Sequence, residues 1–428
     1  MWQALDLPTM NPRGTCHVAA MVSSALVCPA ALAQPTADDL EPPGNETEPR
    51  RGDEARVGPH LALDGYVEIN YSYNFNRPNN GITDFRGFDN RHNSLTLSNA
   101  LLGTTFGYDG LDARLSLQVG HTPTTYYLGE PSSPGGSGAA STDDSVFKYI
   151  QEAHVGYLVP VGRGLELAAG IFVSHVGFEG IAVKDNFNWS RSNLFFGLPF
   201  YHTGLRATYA LSDRVTGMVM VANGWIGVVD NNAWKSVTTQ WVVEPVADTL
   251  TVGVVYFGGP ERPRRAPERL AHGLDWRHLF DLWAQVDATE WLTFAAQGDA
   301  GFEKNAFGTS WWAAGAVYSR VHPFTWLYIA ARGDIFREHA AADDAGGSAS
   351  RLFWPADLIG SATLTIDARP HDSLSVRAEY RHDAAKAHMF FEGAVAGDGV
   401  TTPFVHNARR QDTVTVGVTG WFDAEVLP

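Results

Sequence analysis

Cysteine is nearly missing. The 428-residue chain has two, Cys16 and Cys28, both close to the N-terminus, so the remainder has no disulfide, no thiolate metal site and no cysteine nucleophile. Lysine is almost as scarce, with five against 26 arginines. Charge is thin overall, at 18% of residues against a typical ~25%. What charge there is leans acidic: 31 basic and 47 acidic side chains leave a net −16. That balance argues against a general nucleic-acid binder. Long apolar runs are missing too. No uncharged apolar stretch reaches the ~18 residues that a spanning helix needs. The longest beyond the N-terminal region, 215–229, has 15 residues and holds Thr216, Asn223 and three glycines. Membrane-spanning helices are excluded; membrane-spanning strands are not.

The N-terminus has the pattern of an export signal. Met10, Asn11, Pro12 and Arg13 give a short positive start, an apolar stretch covers 17–31, and Ala31-Leu32-Ala33 is an A-x-A cleavage pattern before Gln34. Residues 1–33 are therefore expected to be a signal peptide. Asp6 fits poorly in a positive leader, so Met10 is the better start. From 34 to 60 the chain is polar and Pro-rich, with seven acids and three arginines, the composition of a disordered periplasmic tether.

What is plentiful is glycine, 43 residues, and aromatics, 12%. After residue 60 one pattern repeats: segments of about ten residues that alternate apolar and polar, the period of a strand. In 374–381 (LSVRAEYR), Leu374, Val376, Ala378 and Tyr380 share one face, and Ser375, Arg377, Glu379 and Arg381 share the other. The segment 413–422 (TVTVGVTGWF) repeats this with Val414, Val416, Val418 and Phe422. Seven short turns are expected at 108–110, 161–164, 211–213, 247–248, 288–290, 321–323 and 370–372. Eight longer polar connections alternate with them, near 76–91, 128–145, 179–199, 226–233, 259–277, 304–309, 338–355 and 386–409. Together they join sixteen strands. An even strand count, with short turns at one end and long loops at the other, predicts an all-β fold: a transmembrane antiparallel barrel over 61–422, followed by a C-terminal tail over 423–428. In hydrocarbon each unpaired edge group costs several kcal/mol, so the sheet must close. Tyr66, Tyr71, Tyr157, Trp241, Trp291, Trp326, Tyr380 and Trp421 fall near strand ends, where interfacial girdles want aromatics.

The middle of the chain carries recognisable words: 151–157 (QEAHVGY), 162–164 (GRG), 184–191 (KDNFNWSR), 199–206 (PFYHTGLR), 223–225 (NGW) and 230–232 (DNN). They resemble the OmpL-like outer-membrane β-barrel porins. The resemblance covers about 62–422. It implies an integral protein of the outer membrane of a Gram-negative-type bacterium, in contact with outer-membrane lipid, lipopolysaccharide and the barrel-insertion machinery, and it leaves assembly as a homo-oligomer open. Such barrels commonly end on a terminal aromatic; here Phe422 is followed by six further residues.

Two sets of residues are candidates for a channel's selectivity. In sixteen-stranded porins the third long loop folds inward. Here, 179–199 holds Glu179, Lys184, Asp185 and Arg191, plus an apolar run over 194–198 (LFFGL) able to dock on the wall. A surface loop is the alternative reading. On the wall, Arg206, Arg332, Asp334, Asp367, Arg369, Arg377, Glu379 and Arg381 are expected to face inward, within an inward set of twelve acids and seven bases that favours cations weakly. Pairing of Asp367, Arg369, Arg377, Glu379 and Arg381 in an inter-strand ladder is the plainer role. Arginines of the loop 259–277 could meet lipopolysaccharide, or simply be solvated.

The favoured function is passive diffusion of small hydrophilic solutes or ions. The alternative is a non-conducting structural or surface-binding barrel with loops plugging the lumen. An outer-membrane hydrolase ranks below both: His382-Asp383 and Asp343-Asp344 suggest paired catalytic groups near the outer mouth, but no further motif accompanies them. No metal-ligand spacing, phosphate-cradling loop or nucleophile elbow points to a catalytic site or a cofactor.

Overall fold

A computed structural model describes residues 58–128, 130, 147–230, 232, 234–261 and 276–427. The expected signal peptide, most of the tether, and Arg262, Arg264, Arg265 and Arg269 of the fifth long loop lie outside these residues.

Sixteen strands follow one another: β1 (His60–Asn74), β2 (Ser94–Tyr108), β3 (Leu111–Val119), β4 (Ile150–Val159), β5 (Leu165–Val173), β6 (Tyr201–Ser212), β7 (Val215–Ala222) and β8 (Ser236–Val246). The second half comprises β9 (Leu250–Pro260), β10 (Trp276–Thr289), β11 (Leu292–Asn305), β12 (Gly308–Phe324), β13 (Leu327–His339), β14 (Leu358–His371), β15 (Leu374–Ala385) and β16 (Arg410–Leu427). Each strand pairs antiparallel with its neighbours in sequence, and β1 pairs with β16, which closes the barrel. Closure leaves no row of open backbone groups, the condition for strands to cross hydrocarbon.

The alternation is carried through faithfully. On β15, Val376 and Tyr380 lie exposed on the outer face, while Ser375, Arg377, Glu379 and Arg381 are buried inside. On β11, Phe294 points out and Thr293, Ala295, Gln297 and Asp299 point in. An apolar outer wall and a polar inner one follow from a period of two.

Four local expectations need correction. The connection expected to be long at 304–309 is a two-residue hairpin between Asn305 and Gly308. Asn305 Oδ1 caps the turn by accepting Phe307 N–H at 3.0 Å, and Gly308 takes the positive φ of +127° that the turn requires. The turn expected at 321–323 falls later, between Phe324 and Leu327; Pro323, which has no N–H to donate, sits where the β12–β13 ladder breaks between Val321 and Phe324. The tail expected over 423–428 is strand as far as Leu427, because Asp423, Ala424, Glu425 and Leu427 pair with 61–64 of β1. Tyr66 and Trp421, opposite each other across β1 and β16, face inward rather than joining a lipid girdle; the Tyr66 hydroxyl accepts an N–H of Asn99 at 3.0 Å.

Candidate functional site in the barrel lumen

The third long connection, 174–200, starts on β5 and returns on β6. Ser174 N–H donates to Phe200 O at 3.0 Å and closes its neck. A single 3₁₀ turn at Val183–Asp185 and another at Phe195–Gly197 are its only regular structure. Much of it is tied to itself. Asn186 accepts from Gly180 N–H at 2.9 Å and donates to Gly180 O at 2.9 Å and Ala182 O at 2.7 Å. Arg191 donates to Gly180 O at 2.9 Å and Trp189 O at 2.5 Å, and also reaches Ile181 O.

This segment lies inside the barrel, because from its root on β5 and β6 it reaches inward-facing residues of the arc that runs from β11 to β16 and on to β1, across the ring. Glu68 of β1 accepts Val183 N–H at 2.6 Å. Gln297 of β11 accepts Phe178 N–H at 3.0 Å. Asp334 of β13 accepts the backbone and side-chain N–H of Asn193 at 3.1 and 2.7 Å. Glu379 of β15 accepts Trp189 N–H at 2.6 Å and Ser190 N–H at 3.0 Å. The arginines do the converse. Arg332 donates to Ser190 O at 2.5 Å, and Arg377 to Asn186 O and Asn188 O at 2.9 and 3.3 Å. Arg381 donates to Arg191 O and, at 3.3 Å, to Asn193 Oδ1. A loop inside a lumen has no neighbouring strand, and its buried backbone groups still need partners. Wall carboxylates take its N–H groups and wall guanidiniums take its carbonyls.

Side-chain packing does the rest. Leu194 and Phe187 lie against Ala295, Ala316, Tyr318 and Ala330 of β11–β13. Phe195 packs with Phe88, Tyr126 and Tyr201, and Leu198 with Phe336 and Trp354. Trp189 lies flat against Gly417 of β16, where an added Cβ would come 2.2 Å from the indole. Glycine is needed there for the approach rather than for its backbone freedom.

Of the loop candidates, Glu179 is buried; it accepts from Arg332 at 2.7 Å and from Ser192 N–H at 2.8 Å. Arg191 is also buried, spent on the loop's own carbonyls and stacked over Phe88 at 5.3 Å. Lys184 and Asp185 pair with each other at 2.9 Å and keep 22% and 27% side-chain exposure, more than Glu179 or Arg191. On the wall, Arg332, Asp334, Glu379, Arg377 and Arg381 all converge on the loop, whereas Arg206 stands apart, paired with Glu166 at 2.8 Å. The inter-strand ladder forms only at Asp367, which takes Arg369 at 3.0 Å and Arg377 at 3.2 Å. Glu379 and Arg381 turn to the loop instead, since unpaired backbone groups there compete for them.

Sequence reading missed several contributors. The first loop, 75–93, also dips inward: Arg86 pairs with Asp89 and reaches Asp383 at 3.4 Å and Thr413 Oγ1 at 3.1 Å. Burial alone would push Asp89 up, but the Arg86 guanidinium beside it holds it below the usual carboxylate range. The alternation of Asp84, Arg86 and Asp89 was the available signal. Asp281 and Asp299 stand directly opposite on β10 and β11, share the amide of Gln297 at 2.9 and 3.0 Å, and each keep one buried oxygen without a partner. At the outer mouth, Phe85, Phe196, Trp225, Phe336, Trp354 and Phe390 from several loops and strands form one aromatic mass.

The pairs proposed for hydrolysis do not assemble. His382 bonds Asp412 at 2.8 Å on the outer face, while Asp383 points inward to Arg381. Asp343 caps its own turn through Ala345 and Gly347 N–H. Among the described residues, no group of three His, Cys, Asp or Glu is placed to hold a metal ion.

A closed sixteen-stranded barrel, apolar outside and charged inside, with a long loop bonded across its lumen, defines an outer-membrane barrel of the porin class. The model of the family described as "Putative beta-barrel porin-2, OmpL-like" matches residues 60–419, and the chain belongs to that family. No curated relative matches the sequence. Solved structures share the fold at low identity. The outer-membrane channel DcaP of Acinetobacter baumannii has TM-score 0.52 and 11% identity, over 87% of this chain and 99% of that one. An anion-selective porin from Comamonas acidovorans has TM-score 0.52 and 13% identity, over 85% and 100%. OmpT of Vibrio cholerae in its trimer form has TM-score 0.52 and 8% identity, over 85% and 100%. The chain is thus an integral outer-membrane protein whose family and fold are those of a channel rather than an enzyme.

Proposed function

We propose that the protein is a passive channel for small hydrophilic solutes or ions, and that the third loop sets its narrowest cross-section. The observation that carries this reading is the set of bonds from loop 174–200 to Glu68, Gln297, Asp334 and Glu379, on β1, β11, β13 and β15. A loop rooted on β5 and β6 and bonded to the arc from β11 round to β1, across a sixteen-stranded ring, narrows a lumen that would otherwise be wide. Lys184 and Asp185 are then the charges that a passing ion meets, while Arg332, Arg377 and Arg381 act as anchors rather than as a selectivity ring. Charge in a narrow, low-dielectric passage acts more strongly than at an open surface. Purified protein in planar bilayers should give discrete single-channel currents that change when the loop is altered.

The competing reading is a barrel whose outer mouth stays shut. The aromatic mass of Phe85, Phe196, Trp225, Trp354 and Phe390 favours it. The same bilayer recording separates the two. Export by residues 1–33, a periplasmic tether over 34–60, contact with lipopolysaccharide and the barrel-insertion machinery, and assembly as a homo-oligomer belong to the same proposal. The trimer form of the Vibrio cholerae neighbour supports the last of these. No catalytic role is proposed.

A further inference from the structure

The inner-wall arginines that meet the loop are almost all satisfied. Arg320 is the clearest exception. It faces inward from β12 and is half-buried, and among the described residues it has no hydrogen bond or ion pair. Its guanidinium lies 4.2 Å from the ring centroid of Phe187 in the third loop and 5.7 Å from that of Tyr328 on β13. Arg369 of β14 stacks over the same Tyr328 at 4.6 Å. Arg377 belongs to the same group, because Asp367 pairs opposite both Tyr328 and Arg377. It is 1% exposed, and its Nη2 has no partner at all. Burying a guanidinium N–H without an acceptor is costly, and such groups call for an explanation.

The acceptors identify what is missing. Arg369 and Arg377 divide one carboxylate, that of Asp367. A second nearby acid, Asp287, is taken by Gln285 at 3.0 Å and Thr293 at 2.7 Å. The third, Glu379, is taken by Trp189 N–H, Ser190 N–H and Thr365 Oγ1, so no acid of the group accepts from Arg320 or from Arg377 Nη2. Aromatic rings cover the guanidinium faces through cation–π contacts, so the N–H edges are what remain available. A guanidinium edge is a two-pronged donor that fits the two oxygens of a carboxylate.

We infer that Arg320, with Arg369 and Arg377, forms a binding site for a small monocarboxylate beneath the third loop, on the side of the short turns. Phe187 and Tyr328 give it an apolar wall, so an aromatic monocarboxylate suits it better than a compact ion. Occupancy does not depend on conduction, which separates this site from the channel reading.

Titration calorimetry of the folded, detergent-solubilised protein with sodium benzoate at low ionic strength tests it. One saturable site per chain is expected. Arg320→Gln and Arg369→Gln should each weaken binding at least tenfold, and Arg163→Gln, on an exposed turn, should leave it unchanged. Arg320→Lys keeps the charge but loses the fork, and should weaken binding as well; it serves where Arg320→Gln does not fold. Neutral benzamide should not compete. Absence of saturable benzoate binding by the unaltered protein would overturn the inference. So would unchanged affinity in Arg320→Gln, or in Arg320→Lys where Arg320→Gln does not fold, or equal binding of benzamide.

Discussion

Arg332 on β13 and Glu179 at the base of the third loop form an ion pair of 2.7 Å with 0% and 5% side-chain exposure. Asp334 stands 3.3 Å from the same guanidinium. Removing one partner of such a pair strands the other in a dry site at a cost of roughly 3–5 kcal/mol. Arg332→Met should therefore destabilise the protein by about that amount in urea unfolding. Glu179→Gln added to it should recover part of the loss. Strictly additive losses would mean that the two side chains are not coupled.

Gly417 tests the loop's seat on β16. Any larger side chain collides with the indole of Trp189. Gly417→Val should shift Trp189 fluorescence and loosen protease protection of 174–200, while the barrel keeps its strand content by circular dichroism. Unchanged fluorescence and protection would place Trp189 elsewhere.

The faces of the strands were readable from the sequence because alternation is local: Arg377 and Glu379 could be placed inward from their immediate neighbours. Their partners could not. Glu379 bonds the backbone of Trp189, 190 residues away, and backbone groups leave no trace in composition. Five of the eight wall candidates, Arg332, Asp334, Arg377, Glu379 and Arg381, are therefore the loop's hydrogen-bond partners, where parity alone suggested lumen charges or an inter-strand ladder. Tyr66 was misplaced for a different reason. Its parity with Glu68 marked it as inward, but an aromatic near a strand end also fits a girdle. At 304–309 a polar run looked like a loop, although Asn305 and Gly308 are the residues of a tight turn.

The lipid and lumen faces should differ in their tolerance of charge. Val376 faces lipid, and Arg in its place should cost ~2–4 kcal/mol. Thr216 on β7 lines the lumen away from the third loop, and Thr216→Arg should cost little. Equal costs in refolding into vesicles would indicate a register wrong by one residue, since such a slip exchanges the faces.

Acid should loosen the neck of the third loop. His175 is buried, its ring bonds Thr238 Oγ1 at 2.7 Å, and the His202 ring lies 5.3 Å away. Burial, then His202 and Arg206, hold it well below the ordinary 6.5. The unfolded chain binds this proton first as pH falls below about 6.5, so stability is full above that pH and lost below it, by up to about 1.4 kcal/mol per unit for one group. His175→Gln should flatten the dependence of unfolding on pH below 6.5. A slope unaltered in that variant would assign the effect to other groups.

The central claim is that the third loop is the constriction, and single-channel conductance in planar bilayers tests it most directly. Deleting 186–193 removes the bonds to Glu379, Arg377, Arg332 and Asp334 and the Trp189 seat, and leaves the sixteen strands intact. The account predicts discrete channels in both proteins and a larger conductance after deletion. It also predicts a shift toward anions in Asp185→Lys that shrinks as salt shortens the screening length. An unchanged conductance in a loop-deleted barrel that still folds and conducts would contradict it.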